Sequence, residues 1–141
     1  MKLRSSKATI PVLALLGLLA ACGGGGDDEA GSATPFSLSA STLTLSGGCP
    51  GGYVADVFVY GGAAPYRLDN TFPDVIKVSN MPSPPDPATQ PTFENVTITT
   101  EVAERGGRFS VWFKPGGCFS PGIVKVVDKN DKQVTLTLTH S

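Results

Sequence analysis

The chain has 141 residues, of which 40% are hydrophobic and 16% are charged, and its formal net charge is −1. This length allows a single domain of ordinary size together with a leader segment. The charges form no basic stripe, which argues against nucleic acid as a partner.

The N-terminus has the pattern of a secretory signal, in which basic residues precede a short apolar run. Ile10 to Leu19 form that run, and small residues follow at Ala20 and Ala21. A transmembrane helix needs about 20 apolar residues, so the run is too short to span a bilayer. Residues 1–21 are therefore predicted to be a signal peptide. The basic residues in front of the run are Lys2, Arg4 and Lys7.

Cys22 closes the sequence Leu-Ala-Ala-Cys and is followed by four glycines. This arrangement resembles the lipobox of bacterial lipoproteins. The resemblance implies that a diacylglyceryl group is joined to the Cys22 sulfur, and that Cys22 becomes the mature N-terminus and is acylated further in Gram-negative bacteria. Several acyl chains together hold a protein stably on a membrane. Gly23, rather than an aspartate, follows Cys22, and the same resemblance therefore implies the outer membrane as the location. A plain secreted protein with an incidental cysteine is the alternative.

Residues 22–35 are predicted to be the lipidated N-terminus and a flexible tether before a domain at 36–141. Residues 23–34 read GGGGDDEAGSAT and hold no large apolar side chain. A Gly-rich segment of a dozen residues spans roughly 20 Å on average, which clears the lipid headgroups. Asp27, Asp28 and Glu29 are adjacent without His or Cys, which indicates solvation. Neither a metal ion nor a cofactor is expected.

Three cysteines are an awkward number for a secreted protein, since one is left unpaired. If Cys22 carries lipid, Cys49 and Cys118 remain in an oxidising compartment where disulfides persist. Both lie in Gly/Pro-rich turns, and a bridge between them would close a loop of about 70 residues, which is worth roughly 4 kcal/mol on the chain-entropy model. We predict this bridge. Free thiols and a redox pair are the alternatives, and the spacing is unlike that of a redox motif.

The body of the chain alternates apolar and polar residues with the period of a β-strand. The alternation slips within Ser37 to Leu45, which indicates a bulge or a kinked first strand. Phe93 to Thr100 is predicted to be a strand with Val96 and Ile98 on one face. Met81 to Pro91 holds five prolines and is expected to be a long exposed loop at one end of the fold. The other predicted strands are Tyr53–Tyr60, Pro65–Leu68, Val75–Val78, Phe109–Phe113, Val124–Val127 and Val134–Leu138.

These short strands predict an all-β fold, a β-sandwich of roughly seven to eight strands. Tyr60 to Tyr66, reading YGGAAPY, and Pro73 to Ser79, reading PDVIKVS, are similar to the opening rhythm of bacterial immunoglobulin-like (Big-type) domains. The segments Val126 to Asp128 and Gln133 to Leu138 resemble the closing hairpin of that family. The resemblance implies an immunoglobulin-like sandwich with a spacer or adhesion role on the cell envelope, and it supplies no catalytic residues.

Candidate chemistry in this domain is sparse. His140 is the only histidine and stands beside the C-terminus, where fraying is expected. Glu101 and Glu104 lie beside Arg105 and Arg108, a pattern typical of a solvated ion-pair cluster. The aromatic residues Tyr60, Tyr66, Phe72 and Trp112 are the candidates for a sugar- or peptide-binding patch. Packing on a sheet face or under a loop is the alternative for Trp112.

The sequence therefore predicts a non-enzymatic envelope protein that the lipid on Cys22 holds on the membrane. It would present an immunoglobulin-like module for structural, adhesive or protein-interaction purposes, with an envelope protein or a glycan as partner. One alternative is an accessory subunit of an envelope complex. The other is a small ligand-binding or hydrolytic envelope protein, which needs a concave site with converging polar groups.

Overall fold

The computed structural model describes residues 34–84, 86–118 and 121–141. The predictions for the signal peptide, for Cys22 and for most of the tether lie outside these residues. Two short 3₁₀ turns occur, at Pro87–Thr89 and Phe93–Asn95. Among the described residues, no helix is long and apolar enough to cross a membrane. The described ranges contain nine strands: β1 Ser37–Leu38, β2 Thr42–Leu45, β3 Gly52–Tyr60, β4 Tyr66–Asn70, β5 Ile76–Ser79, β6 Glu101–Val102, β7 Arg108–Phe113, β8 Gly122–Val127 and β9 Gln133–His140.

The strands form two sheets that pack face to face. Sheet I has the order β1-β3-β7-β5 and sheet II the order β2-β9-β8-β4-β6. Neighbouring strands are antiparallel except for β2 and β9, which are parallel. Sheet I reproduces the A-B-E-D order of the immunoglobulin fold, and sheet II contains its G-F-C order. The predicted all-β, immunoglobulin-like sandwich is confirmed, with nine described strands in place of seven to eight.

The slip of alternation near the start of the domain marks a change of sheet. Ser37–Leu38 pairs with β3 in sheet I, whereas Thr42–Leu45 pairs with β9 in sheet II. Residues 39–41 cross between the two sheets. Leu38 therefore reaches the core from one sheet, and Leu43 and Leu45 reach it from the other. The predicted kinked strand is two strands, which is one reason for the higher strand count.

The main core fills the space between the sheets with side chains at every second position. Phe109, Val111 and Phe113 of β7 all belong to this core, which confirms that they share the inner face. Val126 of β8 and Leu136 of β9 face them from sheet II. Each such side chain contributes about 1.5–3 kcal/mol through its removal from water.

The strand predicted over Phe93 to Thr100 is wrong. Phe93–Asn95 is a 3₁₀ turn, and only Glu101–Val102 joins sheet II, beside β4. Ile98 is 53% exposed while Val96 is 3% exposed, so they do not share a buried face.

The reason for this difference lies in Lys77 on β5. Its ammonium group donates to the carbonyl oxygens of Phe93 at 2.7 Å, Glu94 at 3.2 Å and Val96 at 3.4 Å. The same nitrogen lies 4.7 Å from the centre of the Phe93 ring. Three carbonyls that converge on one cation cannot point alternately to two neighbouring strands, as a β-ladder requires.

A second, smaller core lies on the outer face of sheet I, where Trp112 packs with Phe93 and Val96. Residues 81–84 and 86–91 lie along this face between the two ends of β7, so the predicted place of this loop at one end of the sandwich is wrong. The Met81 carbonyl accepts from Arg108 at 3.1 Å, at the first residue of β7. The Gln90 side chain accepts from the backbone of Tyr53, which pairs with Trp112 near the last residue of β7.

The two ends of the sandwich differ. At one end, which we call the entry end, lie the turns 61–65, 103–107 and 128–132, and Thr34 and Pro35 pack there against Gly61. At the other, the disulfide end, Cys49 before β3 is joined to Cys118 after β7, with their Cα atoms 5.3 Å apart. The predicted disulfide is therefore confirmed.

Candidate functional site

The loop that resembles the bacterial immunoglobulin-like pattern is built around two glycines at the entry end. Gly61 and Gly62 have φ angles of +61° and +63°, which side-chain-bearing residues avoid. A Cβ atom on Gly61 would clash with the backbone of Thr34 and Pro35, and one on Gly62 would clash with the Phe36 ring. Both glycines are thus required so that the start of the domain can lie against this loop.

Tyr66 closes the same loop from inside. Its ring is fully buried and stacks on Phe36 with 5.7 Å between the ring centres, and its hydroxyl donates to the Gly61 carbonyl at 2.6 Å. Burial raises the pKa of Tyr66 above its ordinary value of 10.0, although the nearby Arg105 guanidinium acts in the opposite direction. Tyr66 is therefore a structural group that is held neutral.

Asp128 ties this loop to the turn between β8 and β9. Asp128 is 2% exposed, and its carboxylate accepts hydrogen bonds from the backbone N–H groups of Ala63 at 3.0 Å, Asn130 at 2.9 Å and Lys132 at 2.8 Å. The Lys129 N–H also donates to the Ala63 carbonyl at 2.8 Å. The residues that carry the family resemblance therefore hold two turns together.

The four aromatic residues of the predicted patch do not lie together on the surface. Tyr60 and Phe72 are each 42% exposed, but Tyr60 is at the entry end and Phe72 follows β4 at the disulfide end. Tyr66 and Trp112 are both fully buried. The Trp112 indole N–H donates to the Ser110 hydroxyl at 3.0 Å beneath the segment 81–91. Trp112 therefore packs under a loop, which is the alternative that the sequence left open.

Phe58 is an exposed aromatic residue that was not predicted. It is 38% exposed and stands two residues before Tyr60 on the outer face of β3, whereas Val57 and Val59 point into the core. The run Tyr53–Tyr60 is mostly apolar, a pattern typical of a strand with both sides partly covered, and this pattern conceals an exposed residue. The alternation of valine and aromatic residues within the run was the signal for one open face.

The charged candidates take other partners than those predicted. Arg105 donates to the Gly62 carbonyl at 3.1 Å, and Arg108 pairs with Asp56 at 3.3 Å. Glu101 and Glu104 are exposed. In the part of the chain that the structure describes, the ion pairs are Arg108–Asp56 and Arg67–Asp131, so the predicted cluster of two glutamates with two arginines does not form.

His140 is not at a frayed terminus, contrary to the prediction. It is the last residue of β9, is half-buried and lies opposite Leu45 of β2. The Ser141 N–H continues the pairing by donating to the Leu45 carbonyl at 3.0 Å. The His140 ring lies 5.8 Å from the Phe113 ring, so its contact on the core side is aromatic.

An open trough of about 690 Å³ lies on the outer face of sheet II. Arg67 and Lys125 supply positive charge along it, while Asp69, Glu101 and Asp131 supply negative charge. Arg67 and Asp131 form an ion pair at 3.1 Å, with side chains 69% and 84% exposed. Such exposed pairs contribute little to stability, so these side chains remain available to a partner. The rest of the lining comprises Leu68, Thr100, Val127 and Gln133.

Within the three described ranges, no group of three or more His, Cys, Asp or Glu residues is placed to hold a metal ion. The candidate contact surfaces are therefore the polar trough on sheet II and the exposed pair Phe58 and Tyr60 on sheet I. Comparison with known proteins finds no match among protein-family models, curated proteins or solved structures.

Proposed function

We propose that this protein is a lipoprotein of the cell envelope, held through acyl chains on Cys22, that presents a non-enzymatic immunoglobulin-like module to an envelope partner. The outer membrane is the proposed location, following Gly23 after the lipidated cysteine. The signal-like N-terminus and the lipobox resemblance support the anchor, and the sandwich with its disulfide supports the module.

The observation that carries the proposal is the polarity of the sandwich. The chain enters the domain at Thr34, against the loop that contains Gly61. The strand β3, nine residues long, then runs from the disulfide end to the entry end over roughly 30 Å. A tether attached at the entry end leaves the disulfide end accessible to a partner. Anchor, spacer and rigid module thus follow one another along the chain.

The anchor is tested by mass spectrometry of the mature N-terminal peptide and by membrane fractionation. The wild-type peptide is expected to begin at Cys22 and to bear acyl mass. Cys22→Ala removes the sulfur to which the diacylglyceryl group is joined, so acyl mass should be lost and the membrane-bound fraction of the protein should fall. Gly23→Ala, which keeps the thiol, is the matched control and should stay acylated. A wild-type N-terminus without acyl mass would refute the anchor.

A second candidate, recognition of a glycan or small polar ligand, is favoured by the trough. The charged side chains of both signs that line its rim suit a zwitterionic or hydrogen-bonding ligand. Charge reversal by Lys125→Glu tests whether a partner contacts the trough in intact cells, where crosslinked species are compared with the wild type. Lys114→Glu, an exposed lysine after β7, is the control. Loss of a crosslinked species in Lys125→Glu alone supports the trough, and identical patterns in all three proteins exclude it.

A further inference from the structure

Sheet I exposes two neighbouring aromatic side chains close to the entry of the chain. Phe58 is 38% and Tyr60 42% exposed, and as residues i and i+2 of β3 they point to the same face. Phe58 lies opposite Arg108, whose charge is balanced by Asp56 at 3.3 Å. The pair therefore forms an apolar area beside an ion pair that carries no net charge.

These aromatic residues lie where the tether joins the domain. Tyr60 pairs with Ser37, and Gly61 touches Thr34 and Pro35, so only a few residues separate the aromatic pair from residue 34. The 12 residues from Cys22 to residue 33 reach at most about 40 Å when fully extended. An acyl group on Cys22 thus keeps the entry end close to the lipid surface.

The charges at the entry end do not oppose contact with anionic headgroups. Its turns 103–107 and 128–132 expose the basic side chains of Arg105, Lys129 and Lys132 and the acidic side chains of Glu104 and Asp131. Asp128 in the same turns is buried and hydrogen-bonded. The exposed groups therefore sum to a small positive charge, in contrast to the acidic tether.

We propose that Phe58 and Tyr60 rest on the membrane that holds the Cys22 lipid, so that the domain lies with the entry end of sheet I against the bilayer. This inference rests on the lipid anchor of the proposed function. Tyrosine suits the boundary between headgroups and acyl chains because its ring is apolar and its hydroxyl stays hydrated. Since the anchor already keeps the domain near the surface, the local concentration of lipid lets a weak contact persist.

The test uses the full-length lipidated protein in phosphatidylethanolamine–phosphatidylglycerol vesicles that contain lipids with a nitroxide near the headgroup. Single tryptophan reporters are placed by Tyr60→Trp, Phe58→Trp or Phe72→Trp. Phe72 is the matched control because it is as exposed as Tyr60 but lies at the disulfide end. The native Trp112 is fully buried and supplies a constant background.

The reporters at positions 60 and 58 are expected to lose emission to the nitroxide and to shift to the blue, whereas the reporter at position 72 keeps its emission. Two aromatic positions are used so that a variant that fails to fold, as judged by circular dichroism, does not remove the test. Equal quenching at positions 60, 58 and 72, or none at any, would overturn the membrane contact. A blue shift without nitroxide quenching would also overturn it, because a second copy of the chain would then cover the pair.

Vesicle flotation separates this inference from the proposed function. If the wild-type protein does not float with the vesicles, the lipid anchor fails and the inference fails with it. If the protein floats but the reporter at position 60 is not quenched more than that at position 72, the anchor stands and the aromatic contact alone is wrong.

Discussion

Replacement of Asp128 by alanine should destabilise the domain by an amount that can be worked out from its three acceptor contacts. Its carboxylate accepts from the N–H groups of Ala63, Asn130 and Lys132 at 3.0, 2.9 and 2.8 Å. Ala63 is 6% exposed, so its N–H would stay without an acceptor, whereas Asn130 and Lys132 are exposed and water can replace the lost bonds.

The buried Ala63 N–H thus carries most of the cost. A buried group that loses its partner costs about 1–3 kcal/mol, and replacing the two exposed bonds by water adds about 1 kcal/mol, so Asp128→Ala should lower the free energy of unfolding by about 2–4 kcal/mol. That is a large share of a total stability of about 5–15 kcal/mol. Asp128→Asn keeps a single acceptor oxygen and turns its NH₂ group toward one or more of the same N–H donors, so it should also destabilise the domain.

Urea unfolding followed by circular dichroism measures these changes on the disulfide-intact protein. Lys129→Ala, the next residue in the same turn and exposed, is the control and should change stability by no more than about 0.5 kcal/mol. Amide hydrogen exchange at Ala63 gives a local readout and should accelerate in Asp128→Ala. Equal stabilities of Asp128→Ala and Lys129→Ala would refute the reasoning.

Three further predictions concern stability. The double variant Cys49→Ala/Cys118→Ala opens a loop with a sequence separation of 69, so its free energy of unfolding in urea should fall by roughly 4 kcal/mol. Thiol alkylation of the purified wild type is the control, and free thiols there would contradict the bridge. Trp112→Phe removes the N–H that donates to Ser110 and leaves a void, so the free energy of unfolding should fall by about 1–3 kcal/mol. An unchanged midpoint of urea unfolding would contradict a stabilising role of the second core. Burial raises the pKa of Tyr66 above 10.0, so the stability that its neutral form contributes is complete below that pH and is lost as the pH rises through the folded-state pKa. The free energy of unfolding of Tyr66→Phe should therefore fall less steeply at alkaline pH than that of the wild type. Parallel plots of this free energy against pH would refute the prediction.

The sequence could predict the strands whose two faces differ in environment. Phe109, Val111 and Phe113 meet sheet II, whereas the other face of β7 meets the second core beneath the covering segment. The disulfide could also be predicted, since cysteine parity and turn composition are local properties. The switch of sheets at residues 39–41 left a trace as a slip of parity, although a slip alone does not tell a bulge from a crossover.

The errors came from contacts that are distant along the chain. The segment 93–100 has the composition of a strand, but Lys77 gathers its carbonyl oxygens from a different strand. The role of the turn at Asp128 depends on Ala63, which is 65 residues away along the chain. The exposed face at Phe58 was hidden within an apolar run. Local pattern does not encode such partners, so these features had to come from the fold.

The disulfide also determines what a single proteolytic cut can do. Residues 82–84 and 86–90 are mostly exposed, and the proline-rich run that contains them lies between Cys49 and Cys118 along the chain. A protease that cuts this run divides the polypeptide, yet the two fragments remain joined through sulfur. They also remain interleaved, because each sheet contains strands from both fragments. The cut protein would migrate as two pieces only after reduction. If Cys22 carries the proposed lipid anchor, a nick in this run would leave the whole module attached to it.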